Sequence, residues 1–291
     1  MTVNFDKVSL TAKLAAYMRQ YSDIPYAREV AEHIQAREAF EKLLADSRMS
    51  PEDLLWYAPI FEIRYKSIAE TIRKSGARQI LELASGISLR GLAMTQDPAL
   101  TYVETDLEEI TQEKAALVSI LRRQYNLTER GNHHLVAANA LDALQLRAAV
   151  KSFRHDQPIA VVNEGLFQYL SAGEMNTVAE NIRDLLAEFG GIWITPDFSL
   201  KEDVRDVSEQ QRRFRSVVAA ATDRNLYNNA FDNNAQLLAF LDSLGLHAQV
   251  LNQVDVAPNV VCMVALKLPP QILERARPGL KLWVLSLDDH R

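Results

Sequence analysis

The stretch QILELASGISLRG, residues 79–91, decides how this chain is read. An apolar run stops on an acidic residue, Glu82, passes through small residues to a single glycine, Gly86, and leaves through Arg90. Short apolar runs bounded by small, turn-forming residues are the texture of a buried strand entering a turn. The first buried strand therefore delivers a carboxylate and a bare backbone turn to one place.

Downstream, the pattern repeats. LTYVET (100–105), HLVAAN (134–139), PIAVVNEG (158–165) and IWITPDF (192–198) read as further strands. Helical patterns lie between them, EEITQEKAALVSILRRQY (108–125) and GEMNTVAENIRDLLAEF (173–189) among them. The second is preceded by Ser171, which with Glu174 has capping-box spacing, and carries Met175, Val178, Ile182 and Leu185 on one face. Strand and helix in regular alternation predict parallel pairing through right-handed crossovers. At the far end, HAQVLNQV (247–254) and NVVCMVALKL (259–268) are expected to be strands, close enough to pair as an antiparallel hairpin. A parallel sheet ending in such a pair resembles the Rossmann-like, seven-stranded class I methyltransferase core. This is the expected α/β fold.

Upstream, the first 75 residues contain no convincing strand. YAREVAEHIQAREAFEKLLADS (26–47) has amphipathic helical spacing through Val30, Ile34 and Leu44. SPEDLL starts another helix, with Ser50 as N-cap and Pro51 at the first helical position, and Pro59 kinks or restarts it. The expected organisation is a helical N-terminal cap over 1–75 and a core over 76–291, with a lid-like helical insertion around 200–230, after the fifth strand.

Composition narrows the class. A chain of 291 residues that is 48% hydrophobic can bury a sizeable core. A net charge of -6 argues against nucleic acid as partner. There is no signal-peptide pattern and no apolar run of membrane-spanning length, so no membrane association and a cytoplasmic location are expected. Cys262, the single cysteine, reads as an inert core thiol. His133 and His134 would point to opposite faces of a strand, and no metal site is expected.

In open α/β sheets, ligands sit outside the carboxyl ends of the strands, where the strand order reverses. Glu82, Glu104 with Asp106, Asn139 and Glu164 all fall at such ends. A carboxylate after the second strand, Asp106 or Glu104, can accept both hydroxyls of a ribose, and Asn139 can pair with an adenine edge. Gly86 lets backbone approach a ligand, and Glu82 can hold an amino group directly or through water. Capping the following helix competes as a role for Glu82, as it does for Asp106. A pyrophosphate turn of G-x-G-x-x-G type is missing, because Ala84, Gly86 and Leu89 stand at the three positions. A nicotinamide oxidoreductase is therefore the weaker reading.

ILELASGISLRGL, YVETDLEEITQEKAAL, HHLVAANALDAL and VVNEGLFQYLSAGEM together resemble the successive motifs of the leucine carboxyl methyltransferase family. That family includes bacterial O-methyltransferases of secondary metabolism. EGLFQYLS is the most specific piece, and the likeness covers most of residues 55–198. The resemblance implies S-adenosylmethionine as cofactor, with Gly86 in the first loop, Asp106 at the ribose, Asn139 and Ala140 on the adenine side, and Glu164 beside the methyl-donor pocket. It also implies that Arg64 reaches a carboxylate of cofactor or substrate. Arg64 interrupts the apolar face Ile60, Ile68 and Ile72, which independently calls for a partner, either such a carboxylate or a structural glutamate. The family's first motif, D-x-G-x-G-x-D-T-R, is altered here: Glu82, Ala84 and Ser88 replace an aspartate, a glycine and an aspartate, and Asn139 stands at another usual aspartate.

Methyl transfer is a direct displacement, and a carboxylate acceptor needs no base. The leading expectation is an S-adenosylmethionine-dependent O-methyltransferase acting on a small-molecule hydroxyl or a carboxylate. Tyr169 and Asp197 are the catalytic candidates, with a core role for Tyr169 and a turn role for Asp197 as the competing readings. The alternative is a regulatory or catalytically inactive protein of the same fold that binds the cofactor. The identity of the acceptor and the oligomeric state are not legible.

Overall fold

The computed structural model describes residues 10–45, 49–201 and 230–287, together with 213, 216 and 217. Most of the insertion expected around 200–230 thus lies outside the described residues.

Seven strands form one sheet: β1 (Gln79–Leu83), β2 (Thr101–Asp106), β3 (His133–Ala137), β4 (Ile159–Asn163), β5 (Gly191–Thr195), β6 (Leu246–Asn252) and β7 (Lys281–Leu287). Their order is β3-β2-β1-β4-β5-β7-β6. The first five pair in parallel, and β7 runs antiparallel to both β5 and β6. The order reverses between β1 and β4, so the carboxyl ends of those strands diverge into helices on different sides and leave a crevice. Strands β1 and β4 are buried at every position, as expected where helices cover both faces.

The final strand corrects the sequence reading. Residues 259–268 do not form it: Val261–Ala265 is a short helix, and KLWVLSL at 281–287 supplies β7. The cause is tertiary. The buried carboxylate of Glu62 accepts the backbone N–H groups of Val261 (2.8 Å) and Cys262 (2.9 Å), which secures a helical start in a run rich in β-branched residues. Cys262 itself is fully buried. Trp283 and Leu285 place β7 in the main core.

The N-terminal block is helical: α1 (Leu10–Arg19), α2 (Ala27–His33), α3 (Ala36–Leu44), a 3-10 turn (Pro51–Tyr57) and α4 (Ala58–Ser75). The single helix expected from residue 26 is two helices, because Gln35 adopts a left-handed φ of 52°. The break lets Val30, Ile34, Phe40 and Leu44 all pack into one cluster with Leu14, Tyr17 and Met18 of α1. Ser50 caps the next turn in a capping box with Asp53, and Pro59 sits in the first turn of α4, restarting the helix. Of the remaining helices, α5 is Arg90–Met94, α6 Glu108–Gln124, α7 Ala143–Ala149 and α8 Ala172–Phe189. No described helix is long and apolar enough to cross a membrane.

Candidate active site

A cavity of about 730 Å³ lies at the switch between β1 and β4, within the range of small-molecule sites. Its floor is the β1 loop, its sides are the ends of β2 and β4, and its roof comes from the N-terminal helices. Thr11, Ala12, Ala15, Ala16 and Arg19 line it from one face of α1, and Phe61, Arg64 and Tyr65 line it from α4.

The β1 loop is held by backbone geometry and by Asp106. Gly86 has a φ of 52° and Ala84 one of 48°, both left-handed. Space is not what demands glycine at 86, since a Cβ there would meet nothing within 4 Å; the φ does. The N–H of Gly86 donates to Asp106 Oδ2 (2.7 Å), and the N–H of Leu107 donates to Asp106 Oδ1 (2.8 Å). Each oxygen keeps lone-pair capacity, so the carboxylate that braces the loop can still accept from a ligand. Burial pushes its pKa up, against the pull of those two N–H groups and Lys114. Behind the loop, the buried Lys114 ammonium donates to Ser85 Oγ (2.9 Å) and Glu104 Oε1 (2.8 Å).

Ala84 carries a testable strain. An L-residue with a side chain loses roughly 1–2 kcal/mol in the left-handed region, partly offset by the greater unfolded-state freedom of glycine. Ala84→Gly is expected to raise the thermal midpoint by about 1–3 °C, read by differential scanning calorimetry. An unchanged or lowered midpoint counts against strain at this turn.

Around Glu164 the charges form a chain. Arg90 is fully buried; its Nη1 donates to Glu82 Oε1 and its Nη2 to Glu164 Oε2 (2.6 Å). Arg19 Nη2 donates to the other oxygen of Glu164, Oε1. The hydroxyl of Tyr102 completes Glu82 at 2.7 Å. Both guanidinium groups lie over Tyr65, Arg90 at 4.6 Å and Arg19 at 5.5 Å from the ring centroid. Burial pushes the Glu164 carboxyl upward, but Arg19, Arg90 and Arg64 outweigh it and hold it below the ordinary range. Arg64 differs from its neighbours. Its guanidinium makes no hydrogen bond or ion pair among the described residues, its Nε is buried without a partner, and it sits 6.0 Å from the Phe61 ring.

The structure brings Arg64, Glu82, Gly86, Asp106, Glu164 and Tyr169 to this one cavity. Glu82 reaches it with its carboxylate already engaged by Arg90 and Tyr102. Tyr169 donates to Thr11 Oγ1 at 2.6 Å, tying α1 to the segment after β4. Three expected residues are elsewhere. Asn139 is exposed; its Oδ1 accepts from the N–H of Leu141 (3.0 Å), closing the turn that leads to the Asp142 N-cap of α7. The carbonyl of Ala140 accepts from Asn181 on α8 (2.9 Å), outside the cavity lining. Asp197 accepts from the N–H groups of Gly165 (2.7 Å), Leu166 (2.7 Å) and Phe167 (3.2 Å) and from Asn163 Nδ2 (2.7 Å), so the turn role wins over a substrate role. His133 is buried against Glu104 at 2.6 Å rather than standing at an open strand entrance. Among the described residues no His, Cys, Asp and Glu side chains cluster to hold a metal.

Sequence reasoning missed Arg19, Arg90 and Ser88. Ser88 Oγ is buried at the cavity wall without a partner. Arg19 had the same signal as Arg64: a cation on the helix face shared by Ala12, Ala15 and Ala16.

Comparison with known proteins agrees with this architecture. Residues 23–183, more than half of the chain, match the sequence model described as leucine carboxyl methyltransferase. A protein of Mycolicibacterium paratuberculosis, named as an S-adenosyl-L-methionine-dependent methyltransferase, is 26% identical over 151 residues. The match covers 51% of this chain and 47% of that protein, so it spans about half of the relative's length. Among solved structures, a DUF574 family protein from Streptomyces avermitilis superposes with a TM-score of 0.55 at 15% identity, covering 93% of this chain and 96% of that one. An O-methyltransferase family protein from Burkholderia thailandensis gives 0.50 at 13% identity, covering 97% and 69%. At such identities the likeness is one of fold.

Proposed function

The chain belongs to the leucine carboxyl methyltransferase family of S-adenosylmethionine-dependent methyltransferases, and from that membership we propose a cytoplasmic O-methyltransferase acting on a small-molecule hydroxyl or a carboxylate. The observation that carries the reading is that one cavity is lined both by Asp106, with open acceptor capacity, and by Arg64, which makes no ion pair among the described residues. These suit the two polar extremities of an adenosyl amino acid. Asp106 accepts the ribose hydroxyls, Gly86 holds the loop against the ligand, and Arg64 takes the carboxylate bidentately. Glu164, which lines the same cavity and feels the charge of Arg64, receives the amino group, and Glu82 acts behind it through Arg90.

When bound, the cofactor supplies an electrophilic methyl group. The chain's own contribution is placement and exclusion of water. Ala12, Ala15, Ala16 and Phe61 form an apolar stretch of the wall, and the Tyr169–Thr11 pair presents hydroxyls that can orient an acceptor oxygen. The helical segment before residue 76 acts as the cap over this wall.

The competing reading, a protein that binds the cofactor without turnover, is motivated by Ala84 in a glycine conformation and by the prior engagement of Glu82. Calorimetric titration with S-adenosylmethionine and S-adenosylhomocysteine, followed by a screen of phenol and carboxylate acceptors, separates the two. Binding of both with methyl transfer is the expected result. Binding without transfer to any acceptor favours the inactive protein, and binding of neither rejects the cofactor assignment.

A further inference from the structure

Two arginines hold Glu164 in different ways. Arg90 lies wholly behind the cavity wall, grips Glu82 as well, and shows no exposed surface. Arg19 belongs to the wall itself, comes from the last turn of α1, and keeps 13% of its side chain exposed. Among the described residues its guanidinium donates to Glu164 Oε1 alone, and its buried Nε has no partner. The oxygen of Glu164 not taken from behind is thus covered, from the cavity side, by a cation of the chain.

We propose that Arg19 is an internal stand-in for the ligand. It occupies on Glu164 the place of the amino group of an adenosyl amino acid, and binding displaces it. This rests on the function proposed above and assigns to that site a built-in competitor.

Charge supports the exchange. Arg19 and Arg90 pair with Glu82 and Glu164, two against two, while Arg64 makes no ion pair among the described residues and acts on Glu164 and Asp197 only through space. Adding an ammonium group while Arg19 stays would crowd a third cation onto Glu164. Exchange keeps Glu164 paired, and the carboxylate of the same ligand neutralises Arg64. Removing Arg19 does not strand Glu164, because Arg90 remains at 2.6 Å. Release of Arg19 also undoes a polar tie of α1 to the β4 side, while Thr11 stays joined to Tyr169.

The apparent affinity of a ligand falls with the fraction of molecules in which its site is open, so removing the competitor tightens binding by about threefold or more. Arg19→Gln and Arg19→Met (the latter keeps an apolar, unbranched stem) are titrated with S-adenosylhomocysteine and with 5′-methylthioadenosine, which lacks the amino-acid part. Both variants are expected to bind S-adenosylhomocysteine more tightly and 5′-methylthioadenosine within about twofold of wild type. In wild type, the Arg19 Nε–H NMR signal is expected to move with the first ligand and not with the second, a readout that does not depend on a variant folding. S-adenosylhomocysteine affinity that is unchanged or weakened in folded variants, or an Arg19 signal indifferent to S-adenosylhomocysteine, overturns the proposal while leaving the cofactor assignment standing. Failure of the wild type to bind either ligand removes the assignment, and the stand-in role with it.

Discussion

Arg90→Met is expected to destabilise the protein by about 3–5 kcal/mol, the cost of removing one partner from a buried ion pair. The residue is fully buried, and its two arms divide between Glu82 and Glu164. Without it, the Glu82 carboxylate keeps the Tyr102 hydroxyl as its hydrogen-bond partner among the described residues, and burial drives its pKa further up. Such a loss is a large share of an ordinary folding stability of roughly 5–15 kcal/mol. Urea unfolding followed by circular dichroism measures it. Arg90→Lys should recover little, because one ammonium cannot reproduce a planar fork spanning two carboxylates. Arg90→Met combined with Glu82→Gln should recover part, since it removes a stranded charge. A single-variant loss below about 1 kcal/mol would mean that the carboxylates find water or another cation, and the buried chain of charges would not be a stabilising unit.

Asp106→Ala is expected to weaken S-adenosylmethionine and S-adenosylhomocysteine binding by about tenfold or more, from the loss of hydrogen bonds to a charged acceptor worth roughly 1.5–3 kcal/mol. Two effects point the same way. The ribose acceptors disappear, and the N–H of Gly86 loses the brace that fixes the loop. Asp106→Asn distinguishes them, because its amide oxygen can still accept from one N–H group while the charge is gone. Calorimetry on variants with wild-type melting behaviour is the check. Unchanged affinity in folded Asp106→Ala would leave Asp106 as a brace alone and reject its ribose role.

Much of the sheet was legible because its signals are local. Six strands announced themselves by short apolar runs, and each was found within a few residues of its reading. The box of Ser171 and Glu174 marked the start of α8. The C-terminal strand was misplaced because Val260, Val261 and Val264 favour extended backbone in isolation. What made that run helical was Glu62, 199 residues from Val261 along the chain. Gln35 likewise breaks a continuous amphipathic pattern, as packing of both halves against α1 requires.

For the site, the division has the same origin. Residues at strand ends could be named from sequence, since a strand's period and its terminal turn place Glu82, Gly86, Asp106 and Glu164 near one crevice. Whether each faces a ligand or a neighbour could not be named. Asn139 and Asp197 carry the same chemistry as the cavity residues, yet they satisfy backbone groups of their own turns. Arg90 and Arg64 are both arginines set among apolar residues, but the first forms ion pairs with two carboxylates and the second with none among the described residues. The sequence by itself determined six of the seven strands, the family and the type of residue at each of the first four strand ends, because periodicity and caps act over a few residues. Only the tertiary structure decided which charges pair, since ion pairing depends on distances of a few ångströms between segments as far apart as Arg19 and Glu164, 145 residues along the chain.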